Sequence, residues 1–266
     1  MREALALLRA SWLMQMSYRV DTLLSLTMAV ATTIPVYFMT NALQPFLGPK
    51  IQTLGDRYFA FVIIGIITQA VLTAALFALP QAVTAGIANG TLEALLSTPA
   101  RLSSVLTGLS LYSFAWTGVR IAIILAAAIV LGVHVRWEHA LASILVLLLI
   151  IAAHVPVSIL SAATVVAYRS PGPLPQIALA ASALLGGIYY PTHVLPGGLR
   201  HAADLLPLTY GLRALRRITL EGWSLAAVAS DVAILAAIGA GLLVTSLLAF
   251  TAALRYARRT GTLAQY

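Results

Sequence analysis

Polar positions along this chain are bunched and apolar positions run on between them, so charge-poor stretches stand near residues 22–43, 58–83, 103–132, 140–167, 174–191 and 225–253. At about 1.5 Å of rise per helical residue, stretches of this length suit a hydrocarbon core of about 30 Å. The pattern predicts an all-α membrane protein of six transmembrane helices. Ala29-Val30-Ala31 resembles a cleavage triplet, but the apolar run continues to Met39 and five charges precede it within the first 21 residues, so an uncleaved first helix is expected.

The connectors differ in character. Residues 44–57 carry Pro45, Gly48 and Pro49, residues 84–102 contain a compact helix signal, and 133–139 form a tight polar turn. Ser170-Pro171-Gly172-Pro173 is a helix breaker. The fifth connector, 192–224, is long and only mildly polar, which suits a segment that lies in the interface or dips into it.

Composition supports the membrane reading. The 266 residues are 61% hydrophobic and 9% charged, too few charges to cover a water-exposed surface. The excess of 16 Lys and Arg over 8 Asp and Glu is spread thinly between apolar runs, so anionic lipid headgroups, rather than nucleic acid, are the expected partner. There is no Cys, which removes disulfide, thiol and Cys-ligated metal chemistry. With the N-terminus inside, eight cations face the cytoplasm and seven the other side, with Arg120 inside a span. Six of the eight lie in flanks at the chain ends, where the positive-inside rule weighs most, so both termini are expected to be cytoplasmic.

No Gly-x-x-x-x-Gly-Lys-Ser/Thr loop is present, and the sole lysine, Lys50, follows Pro49. A P-loop ATPase activity of this chain alone is therefore excluded. His-Glu-x-x-His, Gly-x-Ser-x-Gly and a close carboxylate pair are also missing, which weakens a membrane-bound enzyme.

Within 84–102, Asn89 and Gly90 suit a helix start, Glu93 suits the first turn, and Pro99 ends the element. Leu92, Leu95 and Leu96 share one face and Glu93 and Ser97 the other. An amphipathic surface helix and a docking knob for a cytoplasmic partner fit this pattern equally well.

The stretch Asn89-Gly90-Thr91-Leu92-Glu93-Ala94-Leu95-Leu96-Ser97-Thr98-Pro99 resembles a segment of ABC-2 type permeases, the membrane subunits of ABC exporters. A second resemblance runs through Gly187-Ile188-Tyr189-Tyr190-Pro191, Leu195-Pro196-Gly197-Gly198-Leu199 and Leu206-Pro207-Leu208-Thr209-Tyr210-Gly211-Leu212-Arg213-Ala214-Leu215-Arg216. The resemblance implies a single transmembrane domain over 1–266. Residues 1–19 would be an interfacial helix clasping the ATPase, 90–99 a cytoplasmic coupling helix, and 192–222 an outer re-entrant helical hairpin between helices five and six. Gly90, Thr91, Leu92, Glu93, Leu95, Leu96, Ser97, Thr98, Pro99 and Arg101 would contact the ATPase. It further implies a homodimer of permeases, two copies of a separate ATP-binding subunit that holds ATP and Mg, and no cofactor bound by this chain. The location would be the inner (plasma) membrane of a prokaryote, and the cargo, exported, a drug, lipid, lipid-linked glycan or polysaccharide.

Arg120 lies about 13 residues, roughly 20 Å of helix, from the outer end of the third span. A charge there costs about 2.5–3.5 kcal/mol on insertion scales, so it is expected to face protein or a wet cavity, as a substrate-pathway or gate residue or as a structural arginine that pairs or snorkels. Asp231 is a conceivable partner, although it sits only about 10 Å from the outer side. Tyr189 and Tyr190 fit the aromatic belt or the exit path; with Pro207, Thr209 and Tyr210 of the resembling hairpin they complete the expected pathway and gate. His154, beside the kinking Pro156, suits a neutral side chain bonded to a nearby carbonyl better than a proton relay. The competing reading is an ion-coupled secondary transporter, with Asp231 its one obvious intramembrane carboxylate.

Overall fold

The computed structural model describes residues 2–51, 58–88, 102–168 and 172–259. In order they form α1 (Arg2–Ser17), α2 (Arg19–Ile51), α3 (Tyr58–Ala88), α4 (Leu102–Val130), α5 (Ala140–Tyr168), α6 (Leu174–Leu185), α7 (Gly197–Asp204), α8 (Pro207–Arg216) and α9 (Ala229–Arg259). Short 3-10 turns at Trp137–His139 and Thr192–Val194 and a π turn at Arg217–Glu221 complete them, with no strand among the described residues.

Among the described residues five helices are long and apolar enough to cross a membrane: α2, α3, α4, α5 with the turn before it, and α9. They account for five of the six spans expected from sequence. The sixth, 174–191, is helical only over the 12 residues of α6, about 18 Å, and residues 186–191 leave the helix. That non-helical tail has a physical cause, set out below. A second departure is α2, which continues through Pro45 to Ile51 where a connector was expected, although its apolar window ends at Phe46.

Helix α3 is the axis of the bundle. Its spanning window is 67% buried, against 11–33% for the other four, because α2, α4, α5, α6 and α8 all pack on it. Its core face carries Phe59, Ile63, Ile67, Leu72 and Leu76. Helix α9 packs chiefly on α5, through small residues: a Cβ added to Gly239 would stand 2.9 Å from Ala153 Cα, so the two backbones are nearly in contact. Close approach of this kind supplies the dispersion energy that holds helices together where lipid removes the hydrophobic drive.

Helix α1 is joined to α2 through Tyr18 alone. Gln15 Nε2 donates to Asp21 Oδ2 at 2.8 Å and Thr22 Oγ1 donates to the Gln15 carbonyl at 2.9 Å, so side chains on both sides of the break satisfy the free helix ends. Instead of lying apart from the bundle, α1 packs on α4, with Trp12 edge-on to Trp116 at 6.0 Å and Tyr112 Oη donating to Gln15 Oε1 at 3.1 Å.

Replacing Gly239 by Val should force α9 away from α5 and cost about 1–3 kcal/mol, the usual penalty of overpacking. Thermal unfolding of the purified chain in detergent would show a lowered midpoint; an unchanged midpoint would mean that the α5–α9 contact is loose.

Candidate functional site

Between α1, α2, α3 and α4 lies a cavity of about 1130 Å³. Its floor is built by sequence: Ala70, Ala74, Ala78 and Ala82 recur every fourth residue and share one face of α3, leaving space where larger side chains would close it. Phe77, Trp116, Met14 and Met28 add apolar wall, while Gln69, Thr73, Gln81 and Tyr112 place polar groups among them. Helix α1 contributes Leu7, Ala10, Ser11 and Met14, a stripe at i, i+3, i+4, i+7.

Arg120 lines this cavity and is exposed to it. It is at the middle of the α4 span, Ser110–Val130, and no hydrogen bond or ion pair reaches it from the described residues. Among the described residues the lining contains no Asp or Glu. The conceivable pairing of Arg120 with Asp231 is not formed. Asp231 is at the start of α9, where Oδ1 accepts from Arg213 Nη1 at 3.3 Å and Oδ2 from Arg217 Nη1 at 3.0 Å. Both carboxylate oxygens are engaged and the side chain is 6% exposed.

Sequence reasoning gave no role to Arg216, the residue on which this end of the molecule turns. It is 4% exposed. Its Nε and Nη2 donate to the Phe61 carbonyl at 3.2 and 3.0 Å, Nη1 to Gly187 at 2.7 Å and Nη2 to Ile188 at 2.8 Å. The guanidinium carbon stacks 3.3 Å over the Phe61 ring. Carbonyls freed where α6 stops are thus satisfied by a side chain from α8, which is why 186–191 does not continue as helix. Gly65 lets the tail approach, since a Cβ there would fall 2.3 Å from the Ile188 carbonyl oxygen. With Arg213, Arg217, Thr209 and Trp223, Arg216 also lines a second cavity of about 280 Å³. Glu221 closes the π turn there, its carboxyl pushed up by burial against the opposing pull of Arg217.

The other predicted pathway residues brace this corner. Tyr58 Oη donates to the Tyr189 carbonyl at 2.9 Å, and Tyr189 Oη donates to Gln69 Oε1 at 3.1 Å, reaching a residue of the large cavity. Tyr190 donates to the Leu184 carbonyl at the end of α6. Pro207 begins α8, Thr209 Oγ1 donates to Ala203 at 2.6 Å, and Tyr210 Oη donates to Asp204 at 2.9 Å, holding α7 against α8. None of these five lines the large cavity; Thr209 lines the small one. His154 Nδ1 meets the Ile150 carbonyl of its own helix at 2.8 Å, and Nε2 is buried without a partner among the described residues. Gly90, Thr91, Leu92, Glu93, Leu95, Leu96, Ser97, Thr98, Pro99 and Arg101, expected to contact an ATPase, lie outside the described residues. Among the described residues no group of His, Asp and Glu is placed to hold a metal ion.

The family model described as ABC-2 type transporter matches residues 3–220, a stretch that holds the large cavity, the segment 89–101 and the Arg216 corner. None of the curated proteins compared matches the chain.

Removing the Arg216 fork leaves three buried carbonyls short of donors, so Arg216→Ala should destabilise by at least about 3 kcal/mol. Arg216→Lys should rescue little, because a compact ammonium cannot reproduce the planar fork. Folded yield and melting midpoint after solubilisation test this, and a lysine variant of wild-type stability would contradict it.

Proposed function

The chain belongs to the ABC-2 type transporter family, and from that premise we propose that it is the permease of an ATP-driven exporter whose ATP, with Mg, is hydrolysed by a separate subunit. The observation that carries the reading is the large cavity itself, a space along the spanning helices with an arginine at mid-span that has no partner among the described residues, and an N-terminal helix for one wall.

Placement of the elements supports a single docking face. Helix α1 lines the cavity together with Gln81, Ala85 and Gly86 near the end of α3 and with Tyr112 in the first half of α4, so it lies toward the end of the bundle where segment 89–101 joins those two helices. An ATP-binding subunit seated there would touch both the clasping helix 1–19 and the coupling segment 90–99, and its closure would reach a cavity wall directly. Two such subunits and a second permease copy complete the proposed assembly, in the inner (plasma) membrane of a prokaryote with both termini cytoplasmic.

Six crossings fit the geometry. A Cβ on Gly172 would stand 3.4 Å from Thr164 Oγ1 near the end of α5, while Ile188 meets Gly65 near the opposite end of the bundle. The chain between them therefore runs from one end toward the other, with α6 as its helical part. Residues 192–222 then form the outer hairpin, α7 and α8. The cargo is an amphiphile or glycan moved outward. An ion-coupled transporter is the poorer reading, since Asp231, its candidate carboxylate, has both oxygens taken by arginines.

Affinity purification of the tagged chain from its native membrane should bring down a P-loop ATPase, and the chain stripped of that subunit should show no ATP hydrolysis above background. Hydrolysis by the stripped chain, or its purification with no ATPase, would overturn the assignment.

Glu93→Lys reverses the charge offered at the proposed coupling helix and removes a favourable helix-start interaction. Leu95→Pro breaks the helix at a cost of about 3 kcal/mol or more. Both should insert normally yet lose ATPase binding or the stimulation of ATP turnover by substrate, Leu95→Pro more severely. Full complex yield and full stimulation in both variants would move the docking site to residues 1–19.

A further inference from the structure

The large cavity carries more than a location. On α3 it extends from Ile66 to Gly86, a run of about 30 Å of helix, and its volume of about 1130 Å³ exceeds the upper bound of the range, about 300–1,000 Å³, that encloses drug-sized ligands. The lining forms a long trough, with the alanine ladder as floor and Met14, Met28, Phe77 and Trp116 as walls. Polar groups stand toward both ends, with Gln81, Tyr112 and Ser113 toward the Gly86 end, and what distinguishes the other end is charge. Gln69 and Thr73 stand toward the Ile66 end on α3, and Thr117 and Arg120 stand toward the Ile124 end on α4. These two ends coincide, because α3 and α4 are consecutive helices packed on each other and run in opposite directions.

Among the described residues Arg120 is the one charged group in the lining. A guanidinium at mid-span with no acidic partner among the described residues has the full desolvation problem of an intramembrane charge. A ligand that displaced water without supplying an anion would leave the charge uncompensated, whereas one with a phosphate, sulfate or carboxylate would form charge-assisted hydrogen bonds with it.

We propose that this cavity selects amphiphiles with an anionic head group, the head held by Arg120 with Gln69, Thr73 and Thr117 around it and the chain laid along the alanine floor toward Phe77 and Trp116. The inference rests on the reading of the cavity as the substrate site and names the class of substrate. Specificity comes from opposite ends of one molecule: the trough accepts any sufficiently long apolar chain, and the single cation rejects neutral and cationic heads. A glycan without an anionic group, one of the cargoes admitted above, is excluded by the same argument.

The test measures binding with no ATPase present, so that its failure is separate from failure of the exporter assignment. The purified chain is placed in nanodiscs of zwitterionic lipid with a fluorescent fatty acid as probe, displaced in turn by dodecyl phosphate, dodecyl maltoside and dodecyltrimethylammonium. Dodecyl phosphate should displace the probe at a concentration about tenfold or more below the other two, the worth of one charge-assisted contact. Arg120→Gln should abolish that preference, and Arg120→Lys should keep most of it. Arg200→Gln, on α7 outside the cavity, should leave it intact. Thr73→Trp fills the trough without touching charge and should lose the probe altogether, which keeps the test decisive if Arg120 variants misfold. Equal displacement by the three heads, a preference that survives Arg120→Gln, or full probe binding by Thr73→Trp would each overturn the proposal. Phosphatidylglycerol added to the discs, itself an amphiphile with an anionic phosphate head, should compete with the probe, and binding unaffected by it would count against the proposal.

Discussion

The far end of this bundle depends on one buried cation. Helix α6 stops at Leu185 with carbonyls that lipid could not satisfy, and the Arg216 guanidinium supplies the donors from α8 while stacking on Phe61 of α3. Burying a charge costs several kcal/mol before compensation. Four hydrogen bonds and an aromatic face offset that cost here, and the result is a joint among three elements that are far apart in sequence. The corner formed by Tyr189, Thr209 and Tyr210 stands on this joint, as does the arginine pair on Asp231 that anchors the start of α9.

The large cavity is built on a contrary rule. Where the Arg216 corner is closed by hydrogen bonds, the cavity is held open by small side chains, the alanines on α3, and no carboxylate among the described residues stands opposite Arg120. Helix α1 closes this space with two aromatic rings and one hydrogen-bonded glutamine, contacts each worth on the order of 1 kcal/mol. These contacts tie α1 to α4, while the joint at Arg216 ties α3 to α8 and to the tail of α6.

Sequence patterns reveal the long helices well because each apolar run is a local property. They fail at 174–191, since Gly186 to Tyr190 are as apolar as a span requires and the residue that ends the helix lies some 30 positions later. Arg120 is conspicuous because a charge interrupts an apolar run. Arg216 is not: Arg213, Arg216 and Arg217 share a helix face and look like a solvated basic stripe, and only the fold shows that one of the three turns inward. The role of α1 as a cavity wall is equally hidden, because its charged residues are mixed among its leucines, although Leu7, Ala10, Ser11 and Met14 do fall at helical spacing. The motif at 89–99 is the most legible in the sequence, and its residues lie outside those described.

The Arg216 joint also bears on how the molecule is made. Its acceptor on Phe61 and its donor are 155 residues apart, so a chain emerging from its N-terminus inserts α2 to α5 well before the arginine that finishes the structure has been synthesised. Until then the Phe61 side of α3 and the end of α6 can be closed only by water or by another protein. Shortened products that end between the tail of α6 and α8 therefore leave the Gly187 and Ile188 carbonyls without this donor.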